Sequence, residues 1–429
     1  MVKSQERVGF KWITISTLFQ FTCQFLFTLM IAREVGPELV GAYVASMLII
    51  NMGRIFTELG FPQSLINLDN ISQKDRNTSL LVTTTSAFFL SIFLFLLSNT
   101  ISAYFNFSDV TWILQYLLLI LLLNGAFVIY NSWLLREFSY FEVAVSNIAA
   151  TFVSYICIGL SLYFVSPTIE TLVIATISFY AFNLIFSYIF VSKSEDKLIL
   201  EFNSLEKFKN FNFDYTVARI ANFIALEADN FIIGLKLGPT FLGIYSRGYQ
   251  LMTLPATLLG TIGEKVLFPI YSRQTSDKIE NSLNTKLLII GLFSIPINML
   301  VYLYSDELVE FLLGEKWVNV GPVLQALSFA IYFRISTKFI DSAIRSLSLL
   351  RERAYIQYFY ALIIILSVLV AVNFDLSFIA YAVVLCVVIN YCLLLNLLRV
   401  KAKFNFYALH KHLFLVSCFS LVLGFLLNL

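Results

Sequence analysis

The chain has 429 residues, of which 59% are hydrophobic and only 13% are charged, and its mean hydropathy is +0.82. Soluble domains carry about 25% charged residues, so this composition excludes a soluble globular protein and indicates a multi-pass membrane protein. The formal net charge of +2 gives no reason to expect a nucleic-acid partner.

Apolar stretches long enough to cross a bilayer recur along the whole chain and predict twelve membrane spans. The first six spans are expected at 10–32, 40–60, 79–100, 112–131, 144–165 and 171–191. The next six are expected at 213–235, 242–263, 285–304, 322–345, 354–372 and 376–398, with a shorter apolar segment at 412–428. The predicted fold class is therefore an all-α integral membrane protein with a short extra C-terminal helix.

A motif at the start of span two returns at the start of span eight. Residues 35–43 read VGPELVGAY and residues 237–245 read LGPTFLGIY, an offset of 202 residues. A Phe-Pro pair follows each copy, at Phe61 and at Phe268. The repeat predicts two pseudo-symmetric six-helix bundles, an arrangement typical of transporters that hold their cargo between two related halves.

The spans and the repeat together predict the domain boundaries. They are an N-terminal bundle at 1–191, a linker at 192–212, a second bundle at 213–398, and a basic loop with the extra helix at 399–429. The linker places aromatic and aliphatic residues among charged ones, which fits an amphipathic helix at the membrane interface. A plain solvated linker is the alternative.

Lysine and arginine fall almost entirely on one side of the predicted spans. If the N-terminus is cytoplasmic, the opposite side holds only Arg33, Lys236 and Lys316. The positive-inside rule therefore predicts a cytoplasmic N-terminus.

Span ten carries four ionisable residues at helical spacing, and such residues are costly at membrane depth. They fall within an arc of about 60° on a helix, and they are Arg334, Lys338, Asp341 and Arg345. The functional interpretation is a cationic wall on an aqueous cavity, suited to a cargo that carries phosphate. Asp341 is spaced to pair with Lys338 and Arg345. The alternative is a structural salt-bridge ladder that ties this helix to a neighbour, with Arg345 extending to the membrane surface.

Span seven has a wide polar face, which favours a position beside a cavity over one against lipid. The residues of this face are Tyr215, Arg219, Asn222, Glu227, Asp229 and Asn230. Glu227 and Asp229, together with Asp341 of span ten, are the candidates for coupling a proton or a cation. Packing on a polar neighbouring helix would explain the same pattern.

Spans two and eight carry further charges. Arg54 and Glu58 are spaced to pair, and the pair can be structural or functional. Arg247 of span eight can contact cargo or extend to the membrane surface. The candidate cargo-binding residues are Arg54, Arg219, Asn222, Arg247, Arg334 and Lys338.

No enzyme signature is present in the sequence. It contains no glycine-rich phosphate loop, and its Cys and His residues show no metal-ligand spacing. Both histidines, His410 and His412, lie in one loop, so no nucleophile–His pair is expected. We predict no catalytic residues, no metal site and no cofactor.

Three segments resemble the Wzx-type polysaccharide flippases of the multidrug/oligosaccharidyl-lipid/polysaccharide exporter superfamily. These segments are 33–43 (REVGPELVGAY), 229–255 (from DNFIIG to TLP) and 266–273 (VLFPIYSR). The resemblance implies two six-helix bundles with alternating access, in a bacterial cytoplasmic membrane. In this resemblance, Arg247 corresponds to an arginine in the family's motif. The C-terminus departs from the fourteen spans common in that family.

The resemblance further implies a polyprenyl-pyrophosphate-linked oligosaccharide as cargo, moved from the inner to the outer leaflet. The implied partners are membrane lipids and, for surface polysaccharide synthesis, a polysaccharide polymerase and chain-length machinery. A multidrug exporter of the same superfamily is one alternative, disfavoured by the excess of buried Arg and Lys. A polysaccharide polymerase or ligase is another, disfavoured because every predicted outer loop is short.

Overall fold

The computed structural model describes residues 2–191, 205–262 and 267–406, and every regular element in these ranges is a helix. The predicted all-α class is thereby confirmed. The α-helices are α1 (Val2–Glu34), α2 (Pro37–Glu58), α3 (Phe61–Asn67), α4 (Gln73–Tyr104), α5 (Asp109–Arg136), α6 (Tyr140–Thr151), α7 (Leu160–Val165), α8 (Ile169–Val191), α9 (Leu205–Leu237), α10 (Pro239–Ile262), α11 (Phe268–Tyr271), α12 (Ser276–Leu303), α13 (Ser305–Leu313), α14 (Val320–Ser328), α15 (Ile331–Ser346), α16 (Leu350–Ala371) and α17 (Leu376–Lys401). A π-helical segment (Phe152–Gly159) joins α6 to α7.

Each of the twelve predicted spans corresponds to one helix or to two or three consecutive helical segments. Within the described ranges, nine helices are long and apolar enough to cross a membrane, and the bent pair α14–α15 makes a tenth. The other two predicted spans are α9 and α10, which are 33 and 24 residues long and carry many of the polar residues discussed below. The extra segment predicted at 412–428 lies outside the described residues.

The described chain divides into two compact units. The first contains the residues up to Phe223 together with Gly238–Gly243, and the second contains Ile224–Leu237 and the residues from Ile244 onward. The division falls inside α9, whereas the prediction had placed it in the linker at 192–212. Residues 205–212 belong to α9 because Phe208 packs on Phe61 at 5.3 Å between ring centroids, and no Gly or Pro interrupts the helix before Gly234.

In the first unit, α5 packs against α2, α4 and α8, and α1 packs against α6. The hydroxyl of Thr83 donates a hydrogen bond of 2.7 Å to the carbonyl of Gly125, which ties α4 to α5. The hydroxyls of Tyr43 and Thr176 lie 3.0 Å apart and tie α2 to α8. Hydroxyl contacts of this kind supply cohesion between apolar helices, where lipid removes the usual hydrophobic driving force.

The first copy of the repeated motif and residues Gly238–Gly243 of the second copy belong to the first unit. Each Gly-Pro pair opens a helix, because proline at the first helical position has no N–H that needs a partner. A Cβ atom on Gly41 would collide with the carbonyl oxygen of Pro239, and a Cβ atom on Gly243 would collide with that of Pro37. The starts of α2 and α10 therefore pack backbone against backbone, which only glycine permits.

In the second unit, α17 packs against α14, α15 and α16, and α12 packs against α14 and α15. Span ten, predicted as one helix, is bent by 49° between α14 and α15. The ring of Phe329 at this bend lies 5.4 Å from the ring of Tyr302. Just beyond it, the hydroxyls of Tyr332 and Tyr391 are 3.1 Å apart. Residues 323–345 contain no glycine or proline that would predict this bend. The contacts at the bend come instead from distant parts of the chain.

Candidate functional site: two charged clusters within the helices

A buried carboxylate organises the charged residues of the first unit. Glu58, the last residue of α2, is 3% exposed. Its Oε2 forms an ion pair with the guanidinium of Arg219 from α9, and its Oε1 accepts a hydrogen bond of 2.9 Å from Asn124 of α5. The Nε of Arg54 lies 3.6 Å from the same Oε1. We call these residues, with Tyr180 of α8, the Glu58 cluster.

Aromatic rings hold both arginines of the Glu58 cluster. Arg54 donates a hydrogen bond of 2.9 Å to the hydroxyl of Tyr180 and lies over its ring, 5.4 Å from the centroid. Arg219 lies 6.0 Å from the centroid of Tyr215, one turn earlier in α9. The arginine side chains are 26% and 29% exposed, whereas that of Glu58 is 4% exposed. The carboxylate is thus the buried member of the cluster, and the two arginine side chains are its more exposed members.

The second unit contains a cluster around Arg334 of α15. Its guanidinium lies over the ring of Tyr249, 5.0 Å from the centroid, with Asp229, Tyr245 and Tyr360 as its electrostatic neighbours. The Nε of Arg334 is buried and has no hydrogen-bond partner among the described residues. We call these five residues the Arg334 cluster. An arginine on an aromatic face is held in place while its N–H donors stay unused.

Asp229 of α9 is the buried anion of the Arg334 cluster, with 1% of its surface exposed. It accepts a hydrogen bond of 2.8 Å from the hydroxyl of Tyr245 and one of 2.9 Å from the backbone N–H of Asn230. The neighbouring carboxylate, Glu227, accepts a hydrogen bond of 2.9 Å from the side-chain amide of Asn230. The two carboxylates that were candidates for ion coupling thus accept hydrogen bonds from neutral donors.

The structure separates the remaining predicted site residues. Arg247 is 4% exposed and donates to the side chain of Gln250, so it is buried and does not extend to the membrane surface. Lys338 packs its aliphatic stem close to Gly260 and is exposed, as is Asn222. Asp341 binds Arg353 through two hydrogen bonds, of 2.6 and 3.3 Å. Arg353 belongs to the next helix, so this ion pair ties α15 to α16.

Sequence reasoning missed the neutral members of both clusters. Asn124, Tyr180 and Tyr360 lie on helices whose sequences are those of ordinary apolar spans. Tyr249 had one usable signal, since it follows the repeated Tyr245 by one helical turn. Tyr43 and Tyr245 hold equivalent places in the two copies, yet the first meets a threonine hydroxyl and the second a carboxylate.

An apolar cavity of about 430 Å³ opens in the first unit beside the Glu58 cluster, within the usual size of a ligand site. Leu59, which follows Glu58, and Thr216, one turn before Arg219, both line it. Its other lining residues are Phe61, Val82, Glu206, Phe208, Asn212 and Phe213.

Ionisable clusters buried within membrane-length helices are typical of membrane transporters, since such charges are expensive unless they serve a pathway or a partner. The fold and the clusters therefore define the class of this chain as a multi-pass membrane protein of the transporter type. The chain belongs to the family described as "Polysaccharide biosynthesis protein", whose model matches residues 30–322. This confirms the resemblance drawn from the motifs.

Curated relatives carry names from surface polysaccharide synthesis. The teichuronic acid biosynthesis protein TuaB of Bacillus subtilis is 22% identical over 341 residues, which cover 78% of this chain and 70% of that protein. The lipopolysaccharide biosynthesis protein WzxC of Escherichia coli is 21% identical over 321 residues, covering 74% of this chain and 65% of that protein.

Solved structures share the fold across almost the whole chain. The lipid II flippase MurJ, in an inward closed conformation, matches with a TM-score of 0.73 at 14% identity, covering 96% of this chain and 92% of that chain. An inward-facing multidrug resistance transporter of the MATE family matches with a TM-score of 0.67 at 11% identity, covering 90% of this chain and 98% of that chain. At these identities the likeness shows the fold alone.

Proposed function

We propose that this protein is a flippase that moves polyprenyl-pyrophosphate-linked oligosaccharide from the inner to the outer leaflet of a bacterial cytoplasmic membrane by alternating access. The observation that carries the proposal is the pair of arginine-containing clusters inside membrane-length helices. The names of the curated relatives and the MurJ fold support it. A sugar head group cannot cross hydrocarbon unaided, so a polar site within the helices is what this transport requires.

The cationic balance of the Glu58 cluster suits an anionic head group. The cluster contains two arginines and one carboxylate, so its net charge is positive by one unit. Guanidinium groups bind phosphate oxygens in pairs, which suits a diphosphate. We assign cargo contact to Arg54, Arg219 and Arg334, with Asn222, Arg247 and Lys338 in supporting positions. The apolar cavity beside the cluster is suited to the first units of a polyprenyl chain.

Glu227 and Asp229 remain the candidates for coupling transport to a proton or a cation. Both are carboxylates of α9, and Asp229 belongs to the same cluster as Arg334. A cation or proton that binds at Asp229 changes the charge that Arg334 experiences, which would link ion binding to cargo binding. Asp341, the third candidate, already neutralises Arg353.

The alternatives are less well supported by the charges. An exporter of cationic drugs needs an acidic or apolar site, whereas the Glu58 cluster is net positive. A polymerase or ligase needs a large outer segment, and residues 305–317 form only the short α13 and one turn of 3₁₀ helix. We therefore propose a transporter and not an enzyme, acting upstream of a polymerase and chain-length machinery.

Deletion of the gene tests the function directly. We expect lipid-linked repeat units to accumulate on the inner leaflet and surface glycan to fall, because the head group has no other route across the hydrocarbon. The measurement is mass spectrometry of extracted polyprenyl-linked glycans together with surface staining, and a plasmid copy of the gene should restore both. Normal surface glycan in a strain without a second flippase would contradict the proposal.

Reporter fusions test the proposed orientation, in which the N-terminus is cytoplasmic. Alkaline phosphatase fused after residue 198 should stay inactive, because six spans return the chain to the cytoplasm. A fusion after residue 107, between α4 and α5, is the matched control and should be active. The opposite pattern would reverse the topology.

A further inference from the structure

We propose that Glu58 is an internal competitor for the diphosphate of the cargo. Its carboxylate holds Arg54 and Arg219 while the site is empty, and the arriving diphosphate takes both arginines from it. This inference deepens the proposed function and rests on it, since it names how the same cluster is regulated.

The arginines of the Glu58 cluster have many unused donors. A guanidinium carries five N–H groups. Among the described residues, Arg219 makes one hydrogen bond, to Glu58, and Arg54 makes one, to Tyr180. The Nε of Arg54 is buried, and its nearest anion, Oε1 of Glu58, is 3.6 Å away, beyond hydrogen-bond distance. A diphosphate offers more acceptor oxygens and more negative charge than one carboxylate, so it can satisfy donors that Glu58 leaves unpaired.

The geometry allows the exchange without unpaired charges. The arginines are the more exposed partners, so an anion reaches them without first moving the carboxylate. The rings of Tyr180 and Tyr215 hold the guanidinium groups while their anion changes. Glu58 keeps the hydrogen bond of 2.9 Å from Asn124, which stabilises the carboxylate after the arginines turn away.

The competitor explains how one site can both bind and release a diphosphate. Two arginines without a competing anion would hold the cargo tightly and slow its release. With Glu58 present, the cargo is exchanged against an anion of the protein, so release does not leave two bare charges in the membrane. A neutral or cationic molecule cannot displace the carboxylate, so the same device selects for anionic cargo.

The experiment measures diphosphate affinity in the full-length protein, reconstituted in lipid nanodiscs and titrated with farnesyl diphosphate. Glu58→Gln should lower the Kd about tenfold, since the competing charged hydrogen bond is lost. The same variant should flip a fluorescent polyprenyl-diphosphate glycolipid more slowly in vesicles, because release becomes limiting. If Glu58 were only structural, the variant would bind more weakly or not at all.

Two further variants keep the test decisive. Glu58→Asp retains the charge but withdraws it by one carbon, so its Kd should lie below that of wild type. This expectation stands on its own if Glu58→Gln fails to fold, and otherwise the Kd of Glu58→Asp should lie between those of wild type and Glu58→Gln. Asp75→Asn is the matched control, because Asp75 is also a buried carboxylate of the first unit, 1% exposed and 3.3 Å from Lys207. Its Kd should equal that of wild type.

The outcomes separate this inference from the proposed function. If wild type and both Glu58 variants bind farnesyl diphosphate equally, or if the variants bind more weakly, Glu58 is no competitor. If Arg219→Gln and Arg54→Gln bind as tightly as wild type, the cluster does not bind diphosphate, and the inference fails together with the assigned cargo contact.

Discussion

Replacement of Arg334 by alanine is expected to abolish export while the protein remains in the membrane at its normal level. The buried Nε of the guanidinium has no hydrogen-bond partner among the described residues, and its internal contacts are the ring of Tyr249 and the attraction to Asp229. Its removal forfeits the cation–π contact with Tyr249, a term of about 0.5–2 kcal/mol. A lost charge-assisted contact to the cargo, by contrast, lowers binding by about 10- to 100-fold.

Two controls accompany this variant. Arg334→Lys keeps the charge but loses the paired donors, so export should be intermediate. Arg345→Ala removes an exposed arginine of the same helix, and export should remain near wild type. The measurements are surface glycan per molecule of membrane protein and the melting temperature in detergent. Export at the wild-type level by Arg334→Ala would remove Arg334 from the cargo site, and a large fall in melting temperature would make it structural.

Replacement of Gly41 by alanine is expected to give the largest loss of stability in the first unit. Its Cβ would collide with the carbonyl oxygen of Pro239 and lie 2.9 Å from the backbone nitrogen of Gly243. Both obstacles are backbone atoms, which cannot move aside as the end of a side chain can. Overpacking of this kind costs about 1–3 kcal/mol or more. The measurement is the melting temperature of the purified protein, followed by fluorescence-detected gel filtration.

Gly36→Ala is the matched control for this prediction. Gly36 lies in the same motif, a Cβ atom there would meet nothing within 4 Å, and its φ of −73° suits alanine. Its melting temperature should therefore stay near that of wild type. Gly243→Ala should repeat the defect of Gly41→Ala, because its Cβ would collide with the carbonyl oxygen of Pro37. Equal stability of Gly36→Ala and Gly41→Ala would refute close packing between the two copies of the motif.

The helices and the family were predictable because both depend on local pattern. Length and hydropathy mark a membrane helix, so each predicted span corresponds to one helix or to consecutive helical segments. The repeated Gly-Pro marks the start of α2 and of α10 for the same local reason. The bend at Phe329 was not predictable, since the residues that pack there come from elsewhere in the chain.

The sequence by itself determined that this protein is an all-α membrane protein with a repeated motif and with charges at membrane depth. Only the tertiary structure decided which charges meet. Arg219 reaches Glu58 across 161 residues of chain, and Asp341 turns to Arg353 of the next helix. Helical spacing places a side chain on a face, but its partner is set by which helices pack together. That packing depends on contacts such as the one between Gly41 and Pro239, which bring distant segments within reach.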